Sequence, residues 1–295
     1  MGRQLYEQHK IARRAFDLAD EVLGLKLSTV CFEGPADRLN QTNISQPALF
    51  TTAVASFDAA RAAGVTEDFD AFTYAGLSLG EYTALHLAGV FGFEEGLRLV
   101  AARGRFMQEA AEATPSGMVA IIGADEATVL GLCEKARGGE VLVPANYNAP
   151  GQIVVSGSAG ACRRFEEAAG AAGFKAVPLK VAGAFHSPLM QPAADRMAAE
   201  LEKVRFHSAS GFSRVVYSNV TGKPHGDSES IKRLLVQQIV EPVRWEQTMQ
   251  ALVAEAPAGR FIELSPGRTL AGLAKRINRR LPVEGVETLV AGQPS

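Results

Sequence analysis

Ser78 stands at the centre of Gly76-Leu77-Ser78-Leu79-Gly80, a Gly-x-Ser-x-Gly pentapeptide. A serine in that setting is suited to nucleophilic chemistry. A tight turn between strand and helix exposes the hydroxyl, and the N–H groups that open the helix face the place where negative charge would develop. The flanking residues fit this context: a β-type run, Phe72 to Ala75, comes before, and a helix-like run, Glu81 to Leu87, comes after. Side chains two residues either side of Ser78 are expected to clash at the turn, which would account for both glycines. The competing reading of the pentapeptide is a structural strand-to-helix turn.

A serine nucleophile needs a base. Five histidines are candidates: His9, His86, His186, His207 and His225. His9 on the opening helix and His225 in a polar turn are expected to be solvated. His86 lies about two turns along the helix that follows Ser78 and would point to the side. His207 has no motif around it. His186, in Phe185-His186-Ser187-Pro188, falls in a loop where a second domain returns to the first, a favoured place for a site. Its alternative is a hydrogen-bonded structural histidine. Arg103 sits on a helix beside Leu99, Val100 and Phe106. An arginine on an apolar face needs an anion, either a substrate carboxylate or a neighbouring Asp or Glu. Arg105 is the member of the pair expected to be exposed.

These side chains must be held by an α/β scaffold. Residues 3 to 23, 46 to 63 and 93 to 112 read as helices, with Gly24 as a stop and Pro47 near a first turn. From Met118 to Leu179 the pattern is strand, helix, strand, strand, helix, strand, a ferredoxin-like βαββαβ unit with its central hairpin at Asn148-Ala149-Pro150-Gly151. Alternating strands and helices outside it imply a mostly parallel sheet. The expected organisation is a core of residues 1–116 and 182–295 with a small inserted domain over 117–181. Further helices are expected at Ser230 to Gln238 and Trp245 to Ala254, and strands at Arg214 to Ser218 and Arg260 to Leu264. The last few residues read as a loose tail.

The 295 residues give ample length for a buried core, and 47% hydrophobic with 21% charged residues is ordinary for a globular chain. A net charge of −2 argues against nucleic-acid binding. No apolar run approaches a membrane span, and no signal-peptide core opens the chain, so a cytoplasmic location is expected. Cys31, Cys133 and Cys162 are scattered, show no metal-ligand spacing and are expected to be buried thiols.

Four segments occur in order: Ala75 to Tyr82, Ala101 to Ala110, Gly183 to Met190 and Glu263 to Gly267. With Ser45-Gln46-Pro47-Ala48-Leu49 and Asn146 to Gln152, they resemble the malonyl-CoA:acyl carrier protein transacylase family over essentially the whole chain. The resemblance implies an α/β-hydrolase-like core carrying the ferredoxin-like insert. It implies Ser78 as the nucleophile that carries the acyl group, and His186 as base and then acid. Arg103 would pair with the malonyl carboxylate. Gln238 would orient His186 through its backbone carbonyl, and the Leu79 N–H would supply half of the oxyanion hole. Phe185 would crowd an α-methyl substituent. Malonyl-CoA and acyl carrier protein are the implied partners, with no metal or redox cofactor and a monomeric enzyme of fatty-acid synthesis.

Two departures stand out. Leu77 replaces a family histidine and is expected to alter packing only. The opening Met1-Gly2-Arg3-Gln4-Leu5 resembles the helix after the family's first strand and Gly-Gln-Gly loop, so that strand and the second oxyanion donor are expected to lie outside the chain as written. Such a donor is worth about 3 kcal/mol in the transition state. The alternatives are a standalone acyltransferase of a polyketide synthase, a carrier-protein binding module impaired in catalysis, and a thioesterase, which the Arg103 clamp disfavours.

Overall fold

The structure is a computed structural model and describes residues 1–65, 73–207, 214–264, 266–286 and 290. In chain order the elements are α1 (Arg3–Gln8), α2 (Lys10–Leu23), α3 (Leu27–Glu33), α4 (Ala36–Leu39), α5 (Thr42–Ala62), β1 (Thr73–Tyr74), α6 (Leu79–Leu87) and α7 (Phe93–Ala113). Next come β2 (Ser116–Ile122), α8 (Glu126–Arg137), β3 (Leu142–Ala149), β4 (Gln152–Ser158), α9 (Ala159–Ala171), β5 (Lys175–Pro178) and α10 (Gln191–Glu202). The chain ends with β6 (Val215–Val216), α11 (Ser228–Gln237), α12 (Trp245–Glu255), β7 (Phe261–Glu263), α13 (Thr269–Ile277) and β8 (Val283–Gly285). Phe72 of the expected first strand, Ser265 and the expected tail at 291–295 lie outside the described residues.

Two compact units divide the chain, one of Met1–Gly104, Val204–Val216 and Ala256–Ser295, the other of Arg105–Lys203 and Tyr217–Glu255. In the first, α2 lays Ala12, Ala15, Phe16 and Ala19 against α5, an apolar stripe at helical spacing. Gly24 ends α2 at φ 62°, where a side chain would be strained. The opening helix is broken at His9, whose backbone is extended (φ −122°, ψ 115°). No proline or glycine marks that break. His9 is also buried, 1% exposed, and not solvated as its helix position suggested; His225 is half-buried. Helix α5 begins four residues earlier than Pro47 implied, at Thr42. Pro47 lies in its second turn, where the missing N–H releases the Asn43 carbonyl from the ladder. The strands of this unit are two or three residues long. They pair β1 with β6 and β7 with β8, both parallel as the strand–helix alternation predicts.

The second unit contains the expected βαββαβ segment and more. Its antiparallel sheet has the order β3-β4-β2-β5, with the first and third strands of the segment central, which is ferredoxin-like topology. Strand alternation sends Val119, Ile121 and Val155 toward α8 and α9, where Phe165 and Leu132 complete a core. Met118 and Val154 face the other way, with Ala145 and the half-buried Phe185 against them. The outer strand β3 is covered at its bulged stretch by Val243, through Tyr147 N–H to Val243 O (2.9 Å) and Val243 N–H to Ala145 O (2.9 Å). Helices α10, α11 and α12 belong to this unit, beyond the 117–181 segment. Asp227 caps α11, accepting from the Ser230 N–H at 2.8 Å.

Candidate active site

The turn after β1 places Ser78 at the N-terminus of α6 with φ 53° and ψ −103°. Only glycine adopts this region without cost, so the serine is held under strain. Gly76 makes the turn possible: a Cβ there would lie 2.0 Å from the Gly80 carbonyl carbon. Gly80 differs from expectation. A Cβ there would meet nothing within 4 Å, and its φ is ordinary, because position 80 already lies on the helix and points away from the turn. The N–H of Gly80 bonds to Leu77 O (3.0 Å) and that of Glu81 to Ser78 O (3.2 Å). The Leu79 N–H, at the first helical position, takes part in neither bond.

Arg103 lies on α7, and its side chain is 1% exposed. Its Nη2–H donates to Ser78 Oγ at 3.0 Å and its Nη1–H to Gln46 Oε1 at 2.8 Å. The guanidinium carbon is 5.5 Å from the Tyr82 ring centroid. Burial lowers the Arg103 pKa from its ordinary value, while Tyr82 and the buried Glu81 act the other way. Gly104 permits this arrangement, since a Cβ there would stand 2.6 Å from Thr42 O; without one, α7 approaches the start of α5 closely enough for Arg103 to reach Gln46. No role for Gln46 follows from the sequence. Its signal was its place in Ser45-Gln46-Pro47, one of the segments that carry the resemblance. Arg105 is exposed and pairs with Glu109, as expected.

His186 is buried at 4% exposure and, like Ser78, has positive φ, 57°. Its Nδ1 lies 2.7 Å from Gln238 O. A carbonyl accepts only, so Nδ1 carries the proton and Nε2 the lone pair, the tautomer a general base requires. Gln238 caps α11 and is fully buried, its Nε2–H donating to Asn219 Oδ1 at 3.4 Å. The loop before His186 is pinned by two serines that the sequence did not single out. Ser116 Oγ accepts from Ala184 N–H at 3.1 Å, and Ser156 Oγ donates to Phe185 O at 2.5 Å. Ser187 Oγ donates to Ala184 O at 2.7 Å and closes the turn.

His86 is partly buried in an aromatic cluster. Its Nδ1 is 3.1 Å from Phe91 O, its ring packs on Phe50, Phe91 and Phe93, and burial lowers its pKa. His207 is exposed. The three cysteines are buried and unpaired as disulfides. Among the described residues no group of three His, Cys, Asp or Glu could hold a metal, and no helix is long and apolar enough to cross a membrane.

A serine on a strained turn at a helix N-terminus has the geometry of a nucleophile in acyl chemistry, and the acyl transferase domain family matches residues 1–290. The malonyl CoA-acyl carrier protein transacylase of Bacillus subtilis is 42% identical over 283 residues, 95% of this chain and 87% of the relative. The acyl-carrier-protein S-malonyltransferase structure from Bartonella henselae aligns with a TM-score of 0.91 at 39% identity, covering 97% of this chain and 90% of that one. A malonyl-transacylase in complex with its type II polyketide synthase acyl-carrier protein aligns at 0.87 and 37%, covering 97% and 90%. The chain belongs to the malonyl CoA-acyl carrier protein transacylase family.

Proposed function

We propose that the chain moves a malonyl group from malonyl-CoA to the phosphopantetheine thiol of an acyl carrier protein, in fatty-acid biosynthesis, by a ping-pong route through a Ser78 ester. The observation that carries this reading is the buried guanidinium of Arg103, 3.0 Å from Ser78 Oγ. A buried cation beside a nucleophile suits an acyl group that ends in a carboxylate. Ser78 Oγ bonds to the thioester carbon as His186 Nε2 takes the hydroxyl proton. The carbon–sulfur bond then breaks, and the imidazolium returns that proton to the departing CoA sulfur. The carrier thiol repeats the sequence in reverse. The Leu79 N–H supports the oxyanion, and the carbonyl end of α11 favours the positive ring. Gln238 keeps the tautomer, and Phe185 narrows the acyl space beside His186.

One thioester is exchanged for another, so electrons and protons balance with no metal or redox cofactor. Residues 1–116 and 182–295 would form the acyltransferase core around an inserted 117–181 domain, acting as a cytoplasmic monomer. A second reading, service to a polyketide synthase, is favoured by the similarity to a transacylase bound to such a carrier. Intact-mass measurement after malonyl-CoA tests the core proposal. Wild type is expected to gain one malonyl group, and holo carrier protein to remove it, whereas Ser78→Ala stays unmodified. A wild type that binds carrier yet never gains mass would make the protein a binding module. Rates with carriers from the two pathways separate the two readings.

A further inference from the structure

As a carboxylate clamp Arg103 has one duty. Its hydrogen bonds suggest a second. The nitrogen that would meet the carboxylate, Nη2, also donates to the nucleophile's own oxygen. Building on the Ser78 acyl-enzyme reading, we propose that Arg103 restrains Ser78, and that a carboxylate on the acyl group releases the restraint by drawing the guanidinium's hydrogen bond and charge away from Oγ.

Acylation makes two demands on Oγ. The oxygen must give electron density to a carbonyl carbon and end as an ester oxygen, a poorer acceptor than a hydroxyl. A cationic donor 3.0 Å away holds that density back and is partly lost as an interaction when the ester forms. It therefore stabilises the starting state more than the transition state, which raises the barrier for every acyl group. A cation would also favour a full alkoxide. General-base removal of the proton proceeds together with carbon–oxygen bond formation, so Oγ does not pass through that state. Burial of Arg103 at 1% exposure keeps water from substituting for either partner and strengthens the contact.

The surroundings favour a small adjustment over a swing. Gln46 Oε1 holds Nη1 at 2.8 Å, the Tyr82 ring lies 5.5 Å from the guanidinium carbon, and the close α5–α7 approach at Gly104 fixes the helix beneath. A carboxylate arriving at this group competes with Oγ for the Nη2 hydrogen and neutralises the charge. An acyl chain without a carboxylate does neither. Selectivity for a carboxylated donor would then act on the chemical step as well as on binding.

The experiment uses the intact protein and a small carboxylate-free probe, methanesulfonyl fluoride. Ser78 Oγ would bond to sulfur while the sulfur–fluorine bond breaks, the hydroxyl proton and fluoride leaving as HF. The labelling rate of Ser78, followed by peptide mass, is compared in formate and in chloride at equal ionic strength and pH. Formate should accelerate labelling of the wild type about tenfold, the scale of one hydrogen bond to a charged group. Arg103→Met should label faster than wild type in chloride and ignore formate. In wild type, formate should also raise kcat for acetyl transfer from acetyl-CoA with little change in KM. Formate that slows labelling or leaves it unchanged overturns the restraint, as does an Arg103→Met protein that labels more slowly than wild type. The formate arm decides on wild type alone if that variant fails to fold. Label found elsewhere than on Ser78 removes the nucleophile reading itself, a failure distinct from the others.

Discussion

A hydroxyl, a guanidinium and a side-chain amide oxygen follow one another from Ser78 through Arg103 to Gln46, and the amide is the least obvious of the three. Removing it leaves a buried cationic donor without its 2.8 Å acceptor, a loss of about 1.5–3 kcal/mol by the usual scale of hydrogen bonds to charge. Gln46→Ala should therefore reduce malonyl transfer by tenfold or more while acetyl transfer changes less, as paired kcat/KM values would reveal. Arg103→Ala should show the same asymmetry more strongly, and equal losses for both donors would count against a carboxylate clamp. Gln238 makes the opposite case. It acts on His186 through its backbone carbonyl, so Gln238→Ala should retain far more activity than His186→Ala. Ser78, Arg103 and His186 were marked as candidates in the sequence, each beside a structural alternative that only the family resemblance set aside. Gln46 was not, since a glutamine on a helix has no local pattern; only α5 meeting α7 gives it a partner. Ser116 and Ser156 carry no local pattern for the same reason.

At the scale of elements, the turn and the helix after it treat their two glycines differently. Gly76→Ala forces a Cβ to within 2.0 Å of the Gly80 carbonyl carbon and should disrupt the turn and abolish transfer. Gly80→Ala meets nothing within 4 Å and replaces a helical glycine, so circular dichroism and thermal melting should report an intact fold, up to about 1 kcal/mol more stable. The pentapeptide made both glycines look equivalent, and only the placement of residue 80 on α6 separates them. Helix α6 also carries His86, whose pKa is lowered by burial against Phe50, Phe91 and Phe93. Its folded value lies below the unfolded one, so the unfolded chain takes up the proton first as pH falls. This residue's contribution is full above the ordinary histidine range and is lost as pH drops through about 6.5. The stability of wild type minus that of His86→Phe, from denaturant melts, should fall between pH 7.5 and pH 5.

Across the whole molecule, the ferredoxin-like order of the small sheet was readable because its strands and helices follow one another as βαββαβ and Pro150-Gly151 punctuates the hairpin. The parallel core strands were harder to bound, at two or three residues each, and the break at His9 had no sequence marker at all. Among the described non-glycine residues, positive φ occurs at Ser78 and His186, one in each compact unit. Each unit thus holds one strained backbone position, and each coincides with a residue assigned to the chemistry. Ser78→Gly should consequently melt at a higher temperature than Ser78→Ala, the positive φ adding to the advantage that glycine already has over alanine at a helix N-cap. On the proposed Ser78 ester route neither variant can be acylated. A library of variants ranked by melting temperature alone would promote inactive proteins at this position, so any programme of thermal improvement needs a turnover screen running beside it.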